Sequence, residues 1–306
     1  MSGILAVTGI TGKSGRFFAR ELDKNSGPVS STFSGIRALV RESSDTAWLD
    51  SLEIEIEKNA GRLDDFDYMK KALSGVDTLV HIAGIYCTRD VMRAATECHV
   101  RRIIAVHTTG VYSKYKAAGE EYRKIDAELA TLCENAGIAL TILRPTMIYG
   151  TVNDNNVIVF IKMVDRLPIM PVVNQARYAL QPVHCADLGK AYFQVLFSEE
   201  TTAGRNFDLS GGAPITLRDM LTEIGKNLGK RVKFFSVPFP IAYAGAWAVY
   251  AATFGCRDYR EKVQRLCEPR VYSHADAESC FGYAPLSFEQ GIAEEVRMYK
   301  EMRDRV

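Results

Sequence analysis

A glycine-rich turn near the start of the chain constrains the fold more than any other feature. The segment Thr8–Gly15 reads TGITGKSG and lies between the apolar run Ile4–Thr8 and the amphipathic stretch Gly15–Lys24. The run predicts a buried strand, and the stretch predicts a helix. Glycines at such a junction permit a tight turn and a close approach to phosphate oxygens, while the helix N-terminus offers free N–H groups. The sequence therefore predicts a dinucleotide-binding turn. Its cofactor contacts are expected from Gly9, Thr11, Gly12, Lys13 and Gly15.

Beyond this turn, short apolar runs alternate with helical stretches up to about residue 150. The alternation is typical of a parallel sheet whose strands are joined by crossover helices. We therefore predict an α/β protein with a Rossmann-type, doubly wound parallel sheet. The predicted strands are Ile4–Thr8, Ile36–Val40, Ile54–Lys58, Thr78–Ala83, Arg102–Thr108 and Ala139–Leu143, with Pro182–His184 extended. The predicted helices are Gly15–Lys24, Phe66–Leu73, Arg89–His99, Glu120–Ala136, Asn156–Arg166, Asp187–Phe197 and Thr216–Leu228.

The alternation loosens after Gly150, which predicts a domain boundary there. Residues 1–150 are predicted to form the dinucleotide-binding domain. Residues 151–306 are predicted to form a smaller C-terminal α+β domain that holds the substrate. Residues 181–200 are expected to pack back on the first domain, so the boundary is soft.

Charge and cysteine content narrow the class of protein. The chain has 38 basic and 37 acidic residues, a net charge of +1, which gives no electrostatic basis for binding nucleic acid or an anionic membrane. Its seven cysteines are odd in number and have no CxxC spacing. This pattern argues against a disulfide framework or a zinc site and favours a reducing compartment. We therefore expect a cytoplasmic protein without a bound metal, with a small molecule as its partner. A homodimer remains open.

One long uncharged segment, Phe234–Cys256, stands apart from this ordinary composition. Its length approaches that of a membrane span. It begins near two prolines, however, and is rich in Ala, Gly and Tyr rather than Leu and Ile. We expect a buried or substrate-covering helix, with contact to a membrane surface as the less favoured alternative and a true span as the least favoured.

The residue after the second predicted strand bears on the choice of cofactor. This residue is Arg41, and an arginine there can pair with the 2′-phosphate of NADP, whereas an acidic residue would accept from the ribose of NAD. Lys13 adds a second cation on the same side, while Glu42 weakens the inference. The sequence favours NADP over NAD; the alternative is that Arg41 is a solvated surface charge.

Several motifs together resemble the short-chain dehydrogenase/reductase superfamily, in its extended and atypical branches of NAD-dependent epimerase/dehydratase and NmrA-like proteins. The matching segments are Thr8–Gly15, His81–Gly84, Thr108–Tyr112, Leu143–Gly150, Gln181–His184 with Asp187, and Asn206–Leu217. The resemblance implies the doubly wound fold, NAD(P) as cofactor and a substrate between the two domains. It also implies cofactor contacts from Ala83, Gly84 and Pro145.

The resemblance also indicates a catalytic set that is incomplete here. In this superfamily a tyrosine acts as acid and base, with a lysine four residues later and a Ser or Thr nearby. Tyr122 matches the tyrosine and Thr108 or Thr109 the hydroxyl, but Asp126 occupies the place of the lysine. Residues i and i+4 share a helix face, so this carboxylate is expected to raise the pKa of Tyr122. Lys124 lies on a different side of the helix.

Other candidates for acid–base or metal chemistry are weaker. Tyr112 and Lys116 have the family spacing, but they lie too early for the catalytic helix, and Tyr115 and Lys114 share their loop. His184 and Asp187 lack a third ligand, so we expect His184 to anchor a strand and Asp187 to cap the next helix. His107 is expected to be a packed core residue.

Two functions are consistent with these features. The first is an NADP-preferring oxidoreductase or epimerase-like enzyme acting on a small carbonyl, hydroxyl or nucleotide-sugar substrate. The alternative is a non-catalytic, NADP-responsive regulatory protein of NmrA-like type, which the missing lysine favours. A scaffold subunit that uses the fold without the cofactor is a third and weaker hypothesis.

Overall fold

A parallel β-sheet forms the centre of the molecule. The computed structural model describes residues 3–115 and 117–304. Within these ranges, seven strands pair in parallel in the order β11-β6-β5-β4-β1-β2-β3. They are β1 Ile4–Thr8, β2 Gly35–Val40, β3 Glu57–Ala60, β4 Val76–His81, β5 Arg102–Val106, β6 Ala139–Pro145 and β11 Arg205–Leu209. The order reverses between β1 and β4, which is the switch point where such sheets bind ligands.

Helices cover both faces of this sheet. Alternate residues of β1 point to opposite sides, so that Leu5 and Val7 enter one core while Ala6 enters the other. The α-helices in the described ranges are α1 Lys13–Lys24, α2 Ser26–Thr32, α3 Phe66–Ala72, α4 Thr88–Glu97, α5 Gly119–Ala136, α6 Val157–Arg166, α7 Cys185–Leu196, α8 Glu199–Thr202, α9 Leu217–Leu228, α10 Phe239–Ala252, α11 Arg260–Arg265, α12 Ala275–Phe281 and α13 Phe288–Arg303. Residues of α1, α7 and α12 fill the first core, and residues of α3, α4 and α5 fill the second.

The later part of the chain has a core of its own. Apolar residues of α6, α9 and α13 pack together there, with Met170 and Leu180 from short strands. The remaining strands are β7 Ile148–Tyr149, β8 Met170–Val173, β9 Ala179–Leu180, β10 Val183–His184, β12 Ile215–Thr216 and β13 Phe234–Val237. Two segments after residue 150 also pack with the N-terminal part of the chain. Helix α7 packs on α1, and β11 extends the main sheet.

The structure confirms the predicted fold class and corrects two local predictions. The third strand was expected over Ile54–Lys58, but β3 covers Glu57–Ala60. Ile54 and Ile56 are buried against the core from an irregular segment, which gave them the apolar pattern of a strand. Asp187 was expected to cap α7, but the Nδ1 atom of His184 accepts from the N–H of Ala186. The Asp187 carboxylate accepts instead from the N–H of Leu286.

The uncharged segment also differs from its predicted burial. It forms β13 and then α10, and among the residues of α10, all of which are described, Ala246 alone is buried. Apolar composition suggested a buried or substrate-covering helix, but α10 packs mainly against α11. Nowhere in residues 3–115 or 117–304 is there a helix long and apolar enough to cross a membrane.

Candidate functional site

The glycine turn forms a backbone cradle at the switch point. Gly9 has a φ of +73°, and a Cβ atom there would lie 2.6 Å from the amide nitrogen of Ala83. At Gly15 a Cβ would lie 2.2 Å from the carbonyl oxygen of Gly9, and at Gly12 it would lie 2.9 Å from the same atom. Gly12 precedes the first residue of α1, so the free N–H groups of the helix start here. The turn therefore fits the pyrophosphate of a dinucleotide, which needs both close approach and N–H donors.

Lys13, the basic residue of the glycine turn, is hydrogen-bonded to the loop after β7. The Nζ atom of Lys13 donates to the carbonyl oxygen of Asp154, 2.6 Å away, in the loop after β7. Lys13 was expected to act beside Arg41 on the cofactor's 2′-phosphate. In the structure its ammonium joins the glycine turn to the loop after β7, so the preference for NADP predicted from these two cations rests on Arg41.

The loop after β2 lies beside the start of α1. Arg41 directly follows β2 and is exposed. Arg16, in the first turn of α1, contacts the carboxylate of Asp45 at 3.4 Å, and its guanidinium lies 5.1 Å from the ring centre of Trp48. Its Nε atom also donates to the carbonyl oxygen of Thr11. Arg16 therefore links the glycine turn to the loop that carries Arg41, a role that the sequence prediction missed.

The end of β4 completes the cradle. The N–H of Ala83 donates to the hydroxyl oxygen of Thr8 at 3.3 Å, so the two strand ends are tied together. A Cβ atom built on Gly84 meets nothing within 4 Å, which leaves this backbone open on the side of the cleft. The predicted contacts at Ala83 and Gly84 thus lie next to Gly9.

A cavity of about 310 Å³ lies at the carboxyl ends of β5 and β6. Residues at the ends of β5 and β6 form one wall, and Arg265, Arg270 and Tyr272 form the other. Its lining residues are His107, Thr108, Thr109, Gly110, Ser113, Pro145, Thr146, Met147, Ile148, Asn156, Leu180, Gln181, Arg265, Arg270 and Tyr272. The structure therefore brings Thr108, Thr109 and Pro145 together, as the predicted site requires.

The two threonines differ in what their hydroxyls do. Thr109 donates to the carbonyl oxygen of Pro145 at 3.2 Å and is buried. Thr108 accepts from the N–H of Gly110 at 3.0 Å and is partly exposed to the cavity. Within the described ranges the structure gives no acceptor for the hydroxyl proton of Thr108. Thr108 is thus the hydroxyl that can donate to a ligand.

Tyr122 is not among the described residues that line the cavity, but it lies within electrostatic range of Arg265, which does line it. Its hydroxyl is 3.3 Å from the hydroxyl of Tyr86, which stands just after β4. Burial, together with this hydrogen bond, raises the pKa of Tyr122 to about 12. The sequence predicted a raised pKa for Tyr122, but it assigned the cause to Asp126. The carboxylate of Asp126 is instead bound to His107 and Arg144.

Asp126 is held by two other side chains. One of its oxygens lies 2.5 Å from Nδ1 of His107, and the other accepts from Nε and Nη2 of Arg144 at 3.0 and 2.7 Å. Burial opposes ionisation of this carboxyl, but the contacts with His107 and Arg144 outweigh it and lower its pKa. The residue in the place of the family lysine is therefore a partly buried, ionised carboxylate. His107 is buried as expected, but it is hydrogen-bonded rather than simply packed.

The contacts of His107 extend to the glycine turn. The hydroxyl of Thr88 lies 3.2 Å from Nε2 of His107 and 3.3 Å from Nε2 of His81. Nδ1 of His81 lies 2.7 Å from the hydroxyl of Thr8. Burial lowers the pKa of His81 to about 3, so its ring is neutral. A continuous buried chain of hydrogen bonds thus joins the end of β1 to Asp126.

The alternative pair at Tyr112 is only partly described. The hydroxyl of Tyr112 donates to Asp208 at 3.2 Å, and it lies 3.5 Å from Nη1 of Arg144. Burial raises the pKa of this phenol. Lys116, its partner in the literal Tyr-x-x-x-Lys spacing, lies outside the described residues. In the ranges that are described, no group of three His, Cys, Asp or Glu side chains could hold a metal.

The sequence did not reveal the arginines of the far wall. Arg265 and Arg270 line the cavity, and each has a buried Nε atom without a hydrogen-bond partner in the described part of the chain. Burial lowers the pKa of Arg270 to about 10. Tyr272 lies beside them and packs against Tyr112. These residues follow the uncharged segment by 9 to 16 positions, but no local pattern in the sequence places them in the cleft.

Comparisons with known proteins agree with this geometry. Residues 9–163, just over half of the chain, match the family described as NAD(P)H-binding, which confirms the predicted NAD(P) class of cofactor. A ketoreductase of Stigmatella aurantiaca that acts on 4-hydroxy-2-methyl-3-oxo-4-farnesyl-3,4-dihydroquinoline-1-oxide is 25% identical over 244 residues, covering 69% of this chain and 71% of the relative.

Solved structures show the same fold over the whole chain. A nucleoside-diphosphate-sugar epimerase from Pseudomonas aeruginosa aligns with a TM-score of 0.75 and 16% identity, covering 99% of both chains. A dTDP-glucose 4,6-dehydratase from Streptomyces venezuelae, with NAD and TYD bound, aligns with a TM-score of 0.74 and 19% identity over 99% of this chain and 98% of that one. The fold predicted from the motifs is therefore the one shared by these enzymes.

Proposed function

Because this chain belongs to the NAD(P)H-binding family, we propose that it is an NADPH-dependent reductase of a ketone substrate. The main support for this proposal is that the glycine turn and the cavity residues lie at the same edge of the sheet. Gly9, at the end of β1, and Thr108 and Pro145, at the ends of β5 and β6, lie at the carboxyl edge of one parallel sheet. A cofactor on the glycine turn would therefore reach the cavity with its reactive end.

The chain's own groups suit the reducing direction. Bound NADPH would supply a hydride to the carbonyl carbon. The carbonyl oxygen then needs a hydrogen-bond donor and a proton, and Thr108 offers a hydroxyl at the cavity wall. With a pKa of about 12, Tyr122 keeps its proton at neutral pH in all but about one molecule in 10⁵. Such a phenol can donate a proton but is a poor base for the oxidation of an alcohol.

Two further features support a preference for NADPH and for a polar ketone. Arg41 is exposed at the end of β2, where a 2′-phosphate would lie. Arg265 and Arg270 line the cavity, and the Nε–H of each is buried without a partner among residues 3–115 and 117–304, which suits a substrate with acceptor oxygens. The ketone acted on by the Stigmatella aurantiaca relative also carries several oxygens, beside a farnesyl chain. A nucleotide sugar is the alternative substrate.

The proposal is tested with purified protein in two steps. Fluorescence titration with NADPH and NADH measures cofactor binding, and we expect a lower Kd for NADPH. Loss of NADPH absorbance is then followed with water-soluble ketones, prenylated ring ketones and nucleotide sugars. Turnover of a ketone supports the proposal. Tight binding of NADPH without turnover of any substrate would favour the regulatory alternative instead.

A matched pair of variants locates the donor. Thr108→Val is expected to lower kcat by about 10- to 100-fold, since it removes a donor to the developing oxyanion, and to leave the Kd of NADPH unchanged. Thr109→Val removes a hydroxyl that is already committed to Pro145, so its effect on kcat should be several-fold smaller. Equal losses in both variants would contradict the assignment of Thr108.

A further inference from the structure

The helix α10 and its flanking residues form an apolar surface that the rest of the described residues leave exposed. Phe235, Ile241, Trp247 and Phe254 are all exposed, and Phe254 is 97% exposed. We call these four residues the α10 surface. Apolar side chains are found on every side of the helix rather than along one stripe. A helix that is apolar all round is normally buried in a protein core or in lipid.

The turn after α10 strengthens this observation. Phe254 has a φ of +48°, in the left-handed region that a bulky residue rarely adopts. It is followed by Gly255, also with positive φ. The backbone is thus held in an unfavourable conformation that presents a large apolar ring entirely to solvent. Residues with such strained backbones cluster at functional sites.

Positive charge surrounds the α10 surface. Between residues 230 and 262 the chain has six basic and two acidic residues, although the net charge of the whole protein is only +1. Arg231, Lys233 and Arg257 are exposed, and within the described ranges the structure gives them no ion pair. Arg260 stacks over Trp247 and Tyr250, with its guanidinium 4.2 and 3.9 Å from the two ring centres. Cations at both ends of an uncharged apolar helix complement anionic lipid headgroups.

From these features we propose that the α10 surface docks on an anionic lipid bilayer. The helix has 14 residues and is about 21 Å long, so it is shorter than the hydrocarbon core and would lie within one leaflet. A protein partner would cover one side of α10, whereas a leaflet can surround all of the exposed apolar residues. Tryptophan and tyrosine, both present in α10, favour the interface between lipid and water.

The surface also borders the cleft. α11 follows α10 after a short turn, and its last residue, Arg265, lines the cavity. Glu261, in the same helix, accepts from the N–H of Ala117 in the loop on the opposite side. A ketone dissolved in the bilayer would therefore enter the cavity beside α10. This statement about substrate access rests on the proposed function, whereas lipid docking itself does not.

Vesicle sedimentation tests the proposal with the full chain. Vesicles of phosphatidylcholine with about 30 mol % phosphatidylglycerol are compared with vesicles of phosphatidylcholine alone. We expect binding to the anionic vesicles, at least tenfold weaker binding to the neutral ones, and weakening of binding by salt. Recovery of all the protein in the supernatant with both kinds of vesicle would overturn the proposal.

Variants connect the binding to α10. The triple substitution Ile241→Ser, Trp247→Ser, Phe254→Ser should reduce vesicle binding at least tenfold. Phe197→Ser, which removes an exposed ring near the opposite edge of the sheet, should leave it unchanged. Unchanged binding by the triple variant would overturn the proposal. A different pair of results would also overturn the proposal: neither protein binds vesicles, and the wild type is a dimer while the triple variant is a monomer. Sedimentation velocity without vesicles measures the oligomeric state.

The same samples separate this proposal from the proposed function. Circular dichroism and the Kd of NADPH show whether the triple variant is folded, since α10 lies outside the cofactor cradle. Turnover of a water-soluble ketone should be the same in the wild type and the triple variant. Vesicle binding without any ketone turnover would support docking and contradict the reductase assignment.

Discussion

At the scale of single residues, Asp126 should contribute to stability rather than to proton transfer. Its carboxylate binds both His107 and the partly buried guanidinium of Arg144. Asp126→Asn removes this charge and leaves the guanidinium of Arg144 without its carboxylate, which we expect to lower the free energy of unfolding by about 3 kcal/mol. Urea unfolding measures the change. Lys124→Ala, on the same helix, breaks only an exposed ion pair with Glu120 and should leave the free energy of unfolding nearly unchanged. Equal effects would refute the prediction.

Arg41 gives a second prediction at this scale, for cofactor choice. If its guanidinium pairs with the 2′-phosphate, Arg41→Ala removes one charge-assisted contact and should raise the Kd of NADPH about tenfold. NADH has no such phosphate, so its Kd serves as the internal control and should stay within a factor of two. Fluorescence titration measures both. A parallel rise in the two values would assign Arg41 to general positioning of the loop.

The sequence predicted the part of the site that is formed by strand ends, but not the part that is formed by Tyr86, Arg265 and Arg270. Gly9, Thr108 and Pro145 lie at strand ends, and Gly12 and Gly15 lie in the turn and helix that follow β1. The parallel topology brings such strand ends together regardless of distant sequence. Tyr86, Arg265 and Arg270 reach the site through tertiary packing, which leaves no local pattern in the sequence. The partners of Asp126 were missed for the same reason, since Asp126 lies in α5 and only the packing of this helix brings it to Arg144 and His107.

At the scale of elements, the contact between α1 and α7 depends on one glycine. A Cβ atom at Gly189 would lie 2.6 Å from the backbone carbon of Phe17 and 2.8 Å from the nitrogen of Phe18. Gly189→Ala therefore forces the two helices apart, and we expect it to lower the free energy of unfolding by about 1–3 kcal/mol. The Kd of NADPH should also rise, because α1 carries the glycine turn.

A matched glycine in another helix provides the control. Gly245 lies in α10, and a Cβ atom there meets nothing within 4 Å. Gly245→Ala should therefore leave the stability unchanged or raise it by up to about 1 kcal/mol, through higher helix propensity alone. Thermal and urea unfolding compare the two variants. Destabilisation by Gly245→Ala as large as that by Gly189→Ala would show that the helix contact is not the cause.

Elements with strong local signals were predicted well. Helix α5 ends at Gly137 in the left-handed conformation, as the glycine indicated, and α9 begins after the capping residue Thr216, as predicted. α10 was misjudged because apolar composition reports the preference of a segment to leave water, but not whether this chain supplies a surface to cover it. β3 was shifted because buried isoleucines outside a strand give the same signal as those within one.

At the scale of the whole molecule, a buried polar cluster connects the cofactor turn to the last helix. Lys13 donates to the carbonyl oxygen of Asp154, and the side chain of Asp154 lies against the carboxyl of Glu295 in α13. Glu295 also accepts from the N–H of Gly150, at the end of the segment Leu143–Gly150 that carries part of the family resemblance. Sequence positions 13, 150, 154 and 295 thus meet in one place, which only the folded chain could show.

This cluster predicts how stability depends on pH. Burial, reinforced by Asp154, raises the pKa of Glu295 well above its ordinary value of 4.5, so the folded protein retains a proton that the unfolded chain releases. The contribution of this group is therefore complete below pH 4.5 and is lost as the pH rises toward the folded-state pKa. Glu295→Gln keeps the neutral shape and cannot ionise. Its stability relative to the wild type should rise with pH by up to about 1.4 kcal/mol per unit. Urea unfolding from pH 5 to pH 8 measures this slope, with the exposed Glu301→Gln of the same helix as the control that should show none. A flat difference between Glu295→Gln and the wild type would mean that Glu295 is ionised in the folded protein.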